Sequence, residues 1–110
     1  MAITPDTTFT VSNNNLDGNL TFHGTLSSGV ATTILIANNS RTWEMLKRTV
    51  DGEIYFIVDW DGTQNIGSNK AGAHVLPAAI SARSFSTSSG QTYIRMIADA
   101  DAEYTLTLVA

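Results

Sequence analysis

Glu103-Tyr104-Thr105-Leu106-Thr107-Leu108-Val109 is the stretch whose reading decides the fold. Tyr104, Leu106 and Leu108 alternate with Thr105, Thr107 and Val109. Successive side chains of an extended chain point to opposite faces, so a period of two over this length predicts a strand buried on one side.

The same grammar continues upstream. Residues 91–98 set Tyr93 and Arg95 against Ile94, Met96 and Ala98. Residues 80–87 set Ile80, Ala82, Ser84 and Ser86 against Ser81, Arg83, Phe85 and Thr87. Residues 53–59 read as a strand that is apolar on both faces, residues 30–37 as a β-branched run, and residues 18–26 place Leu20, Phe22, Gly24 and Leu26 on one side. Residues 40–50 offer the one helical alternative: Ser40 as a cap, and Glu44 spaced to pair with Lys47 or Arg48. The alternation of Trp43, Met45 and Lys47 with Glu44, Leu46 and Arg48 predicts a strand instead.

Residues that tolerate positive φ separate these runs: Asn15-Leu16-Asp17-Gly18, Asp51-Gly52, Asp61-Gly62 and Ser88-Ser89-Gly90. Asp51-Gly52 lies between two strand-like runs and is expected to close a hairpin. Asp99-Ala100-Asp101-Ala102 joins the last two strands. Regular short strands with turns between them predict an all-β domain, a compact antiparallel sandwich or barrel of about eight strands. Residues 1–16 differ: polar, with Pro5 and an Asn13-Asn14-Asn15 run, and apolar only at Phe9 and Val11. They read as an N-terminal arm or edge strand, followed by a β-sandwich domain over residues 17–110.

The chain has 110 residues, no cysteine, and 15% charged residues at a net charge of −4. The length suits one domain with its own core, and thiolate metal sites and disulfides are excluded. Six scattered Lys and Arg do not make the concentrated cationic face that nucleic acid requires, so no nucleic-acid partner is expected. No uninterrupted apolar run is long enough to cross a bilayer, so no membrane partner is expected, and residues 1–6 lack the basic start and apolar stretch of a secretion signal.

Catalytic chemistry finds few supports. Asp59-Trp60-Asp61-Gly62-Thr63 resembles the opening of a calcium loop, but the sixth position is Gln64 and the twelfth Lys70, where such a loop needs glycine and a bidentate glutamate. The segment reads as a strand-ending turn. His23 and His74 have no metal ligands at a recognisable spacing, and no Gly-x-Ser-x-Gly elbow is present. Asp59 with Asp61, and Asp99 with Asp101, lie roughly 6–7 Å apart if extended, and aspartates at turns serve the backbone more often than acid–base chemistry. No catalytic residue, metal or cofactor is expected. Of the aromatics, Trp60 is the first candidate for an exposed contact and Trp43 the second; an exposed aromatic row would suit sugar rings, giving a carbohydrate-binding sandwich as an alternative function.

From residue 31 onward the chain resembles small phage virion structural proteins. The similarity lies in Ala31-Thr32-Thr33-Ile34-Leu35-Ile36-Ala37-Asn38-Asn39-Ser40-Arg41, in Gly52-Glu53-Ile54-Tyr55-Phe56-Ile57, in Gly72-Ala73-His74-Val75-Leu76-Pro77-Ala78, and in the closing segments 92–98 and 104–109. The resemblance implies a non-enzymatic component of the virion, a capsid decoration or cement protein, with a tail or head-fibre component as alternative. It implies the major capsid protein or other virion subunits as partners, and a homo-oligomer with a trimer favoured. Residues 5–12, with Phe9 and Val11, have the length and β propensity to add as a strand to a neighbouring subunit.

Overall fold

A computed structural model describes residues 5–10, 21–37, 40–64, 66, 70 and 72–109. The period-two segments form nine strands among them: β1 (Thr7–Thr10), β2 (Thr21–Leu26), β3 (Thr32–Ala37), β4 (Thr42–Lys47), β5 (Ile54–Asp59), β6 (His74–Leu76), β7 (Ser81–Ser86), β8 (Gln91–Ala98) and β9 (Ala102–Leu108). One sheet runs β1-β3-β8-β5-β6 and the other β2-β9-β4-β7. Two separate sheets make the domain a sandwich, not a barrel. Every described pairing is antiparallel except β1 with β3, which is parallel.

The core lies between the sheets. Trp43 and Met45 of β4, with Tyr104, Leu106 and Leu108 of β9, face Ile34 and Ile36 of β3, Ile54 and Phe56 of β5, and Ile94 and Met96 of β8. Each such side chain contributes about 1.5–3 kcal/mol by leaving water. Phe56 and Phe85 meet edge to face across the two layers, with ring centroids 6.0 Å apart. Residues 42–47 are a strand, and Trp43, Met45 and Lys47 all point inward.

Three expectations change. Asp51-Gly52 does not close a hairpin: β4 pairs with β7 and β9, whereas β5 pairs with β6 and β8 in the other sheet. The turn carries the chain from one layer to the other. Among the described strands, consecutive ones always change sheet except β5 and β6. The second correction is Trp43, 1% exposed and therefore no surface contact. Its period-two partners Met45 and Lys47 take it into the core. The third concerns the N-terminus, where of the two readings, arm or edge strand, residues 7–10 take the edge strand. Residues 7–10 form an edge strand on this chain's own sheet, with Phe9 in register with Ile36. Asp6 anchors it, its N–H donating to Thr33 O and its carboxylate accepting the Thr33 N–H, both at 2.8 Å. Val11 lies outside the described residues.

The outer face of the five-stranded sheet is unusual in being covered too. Leu35, Ile57 and Tyr93 there are buried. Two described residues of the connection from β5 to β6, Gly62 and Lys70, lie against this face, at Tyr93 and Tyr55. A Cβ at Gly62 would stand 2.7 Å from Tyr93 Cε1, and the Lys70 ammonium sits 5.3 Å from the centre of the Tyr55 ring.

Candidate functional site

β5 ends in Asp59, and the chain must turn at once. Asp59 is 6% exposed, and its carboxylate accepts main-chain N–H groups from Asp61 at 3.3 Å, Thr63 at 2.8 Å and Gln64 at 2.9 Å. A short acidic side chain that captures the donors following it is the ordinary means of closing a turn. Burial alone would raise the Asp59 carboxyl; the N–H groups of Gln64 and Asp61, the Asp61 side chain and the Thr63 N–H outweigh it and hold the group below the usual carboxylate range. Asp61 in turn accepts the Thr63 hydroxyl at 2.8 Å. Gly62 takes φ +71°, where a side chain would be strained and would strike Tyr93.

The consequence falls on Trp60. It follows the buried Asp59 directly, yet is 70% exposed. Val58, Asp59, Trp60, Asp61 and Gln64 line an open concavity. Trp60 is thus a large exposed aromatic on a loop whose backbone a buried carboxylate holds.

The two histidines lie on different sheets and do not converge. His23, on the outer face of β2, shares a hydrogen bond of 2.8 Å between its Nδ1 and Thr105 Oγ1. His74, on β6 of the other sheet, packs on Phe56 at 5.1 Å; burial first, and the Arg83 charge second, push its imidazole below its ordinary value. Asp101 accepts the Ser28 N–H at 2.8 Å, and Tyr55 O–H donates to Glu53 at 2.7 Å and to Asp99 at 3.3 Å. These bonds tie the loops at the opposite end of the sandwich. Among the described residues no three His, Asp or Glu side chains gather as a metal would need. Tyr93 and Tyr104 are buried with Trp43, so none of them adds an exposed face to an aromatic row with Trp60.

Of the residues named from sequence, Trp60 stands at this site and Trp43 does not. Val58 and Gln64 belong to it and were not singled out. The signal for Gln64 was present: an aspartate that closes a strand and is followed by Asp-Gly-Thr captures donors several residues on.

No protein-family model and no curated protein matches the sequence. Among solved structures, the chain is similar to the pre-peptidase C-terminal domain of a collagenase from Bacillus anthracis. The TM-score is 0.59 at 15% identity, over 99% of this chain and 100% of that one. At that identity the likeness is one of fold.

Proposed function

We propose that this chain is a non-catalytic binding module whose contact element is the 60–64 loop. The observation that carries the reading is the contrast between neighbours: Asp59, buried and fully engaged with the backbone, and Trp60, 70% exposed. Exposed tryptophans on an ordered loop concentrate binding energy because they bury a large surface at little entropic cost to the backbone.

The finer form of the proposal is a component of a phage particle, in the capsid decoration role or, as alternative, in the tail or head fibre. The resemblance of segments 31–41, 52–57, 72–78, 92–98 and 104–109 to virion structural proteins supports it. Partners would then be the major capsid protein or other virion subunits, and the chain would associate with its own copies. Sedimentation of the purified protein should give a multiple of 11.8 kDa, and the protein should pellet with particles that lack it. A monomer that stays in the supernatant contradicts the virion form. A Trp60→Ala variant that pellets as well as the parent contradicts the role of the loop.

A further inference from the structure

We infer that the concavity beside Trp60 binds one terminal sugar residue, neutral or basic in charge. The inference rests on the reading of the 60–64 loop as the contact element and adds the chemical class of what it contacts.

A sugar ring has an apolar face of C–H groups and a rim of hydroxyls, each both donor and acceptor. A site for it needs a flat aromatic surface with fixed polar groups at the edge. Trp60 supplies the surface, and Val58 adds apolar lining. Asp61 supplies acceptor oxygens, its carboxylate oriented by the Thr63 hydroxyl at 2.8 Å. Gln64 supplies an amide with donor and acceptor together. Its main-chain N–H is engaged by Asp59, which leaves the exposed side chain to face solvent.

The size of the ligand follows from the aromatics among the described residues. Trp43, Tyr93 and Tyr104 are buried, and the Lys70 ammonium lies over the Tyr55 ring. One aromatic plane accommodates one ring, so the site suits a chain end, not the length of a polysaccharide. Its charge follows from Asp61: an acidic sugar would set one carboxylate against another in a chain already at −4.

The test is an array of glycans ending in neutral, amino and acidic residues, probed with the parent protein and with Trp60→Ala, Trp60→Phe and Gln64→Ala, each first shown by circular dichroism and melting to fold as the parent does. Binding should fall on neutral or amino termini. The matching free monosaccharide should shield tryptophan emission from acrylamide, since Trp60 is open to quencher and Trp43 is not. Trp60→Ala should weaken binding at least ~10-fold, Gln64→Ala by about 3- to 10-fold, and Trp60→Phe should retain part of it. Hits that Trp60→Ala keeps at parental strength, hits confined to acidic sugars, or a blank array each overturn the inference. A blank array joined to a protein partner lost in Trp60→Ala overturns the sugar and leaves the contact loop standing.

Discussion

Asp59 Oδ2 accepts the main-chain N–H of Gln64 at 2.9 Å, so the last side chain of β5 fixes the far end of the loop that displays Trp60. The geometry separates two roles between adjacent residues. One is hidden and organises the backbone; the other is presented to solvent.

Replacing that carboxylate should loosen the loop without dissolving the sandwich. Asp59→Ala leaves the N–H groups of Asp61 and Gln64 without this acceptor and Thr63 N–H with only its 3.3 Å bond to Asp61 Oδ1, at a cost of about 1–3 kcal/mol in urea denaturation. The pH dependence follows from the depressed carboxyl. Its stabilisation is present above the unfolded value of about 3.9 and is lost as the pH falls through the lower folded value. Acid titration of the parent should show a change below about pH 4 that Asp59→Asn lacks; identical acid profiles would contradict it.

Lys47 gives a second test. It is 0% exposed, in the inward row of β4, and its ammonium donates to Thr49 O and Asp51 O, across the turn that changes sheets. Lys47→Ala removes both the donors and the packed methylenes and should cost about 3–5 kcal/mol. Lys47→Met keeps the packing and leaves two carbonyls unpaired, for about 1–3 kcal/mol. Equal denaturation midpoints for the two variants would show that the ammonium bonds set the cost alone.

Gly24 lies opposite Tyr104 in the β2–β9 register, and an added Cβ would stand 2.4 Å from Tyr104 Cζ. The ring is buried and closely packed, so Gly24→Ala should destabilise by about 1–3 kcal/mol. The penalty should shrink when Tyr104 is also alanine, because the two side chains then no longer compete for one volume. A double-mutant cycle with no coupling energy would contradict this.

Two phenols should titrate late. The Tyr55 hydroxyl is raised to about 12, first by its hydrogen bond to Glu53 and then by burial and Asp99; Tyr104 is raised to about 12, chiefly by burial and then by the Asp6 charge. Both favour the neutral form in the folded state. Their stabilisation is complete below the unfolded value of 10.0 and is lost as the pH rises toward 12. Absorbance of phenolate should show this delayed step, with Glu53→Gln bringing Tyr55 back toward 10. Ionisation of every tyrosine near 10 would contradict it.

Much of the fold is legible as alternation, because a half-buried strand writes its inward face into the chain. Residues 104–108 and 43–47 show it: Tyr104, Leu106 and Leu108, and Trp43, Met45 and Lys47, all point to the core. The burial of Trp43 was therefore present in its own register with Met45. The layer change at Asp51-Gly52 was not legible, since a turn that closes a hairpin and one that crosses between sheets use the same residues. Long-range pairing of β4 with β9 decides between them. The alternation puts Lys47 in one row with Trp43 and Met45, but what receives its charge is main-chain carbonyl, which has no residue signature. At the candidate site, the turn chemistry of Asp59 and the prominence of Trp60 could be read directly. The cover over Tyr93 could not, because it depends on where the β5–β6 connection lies.

The central claim is that a buried carboxylate holds the backbone of the loop that displays Trp60, and ¹⁵N relaxation across residues 60–64 tests it most directly. The account predicts backbone order parameters near 0.85 for Trp60, Asp61, Thr63 and Gln64, falling in Asp59→Ala. Values below about 0.6 in the parent protein would contradict it.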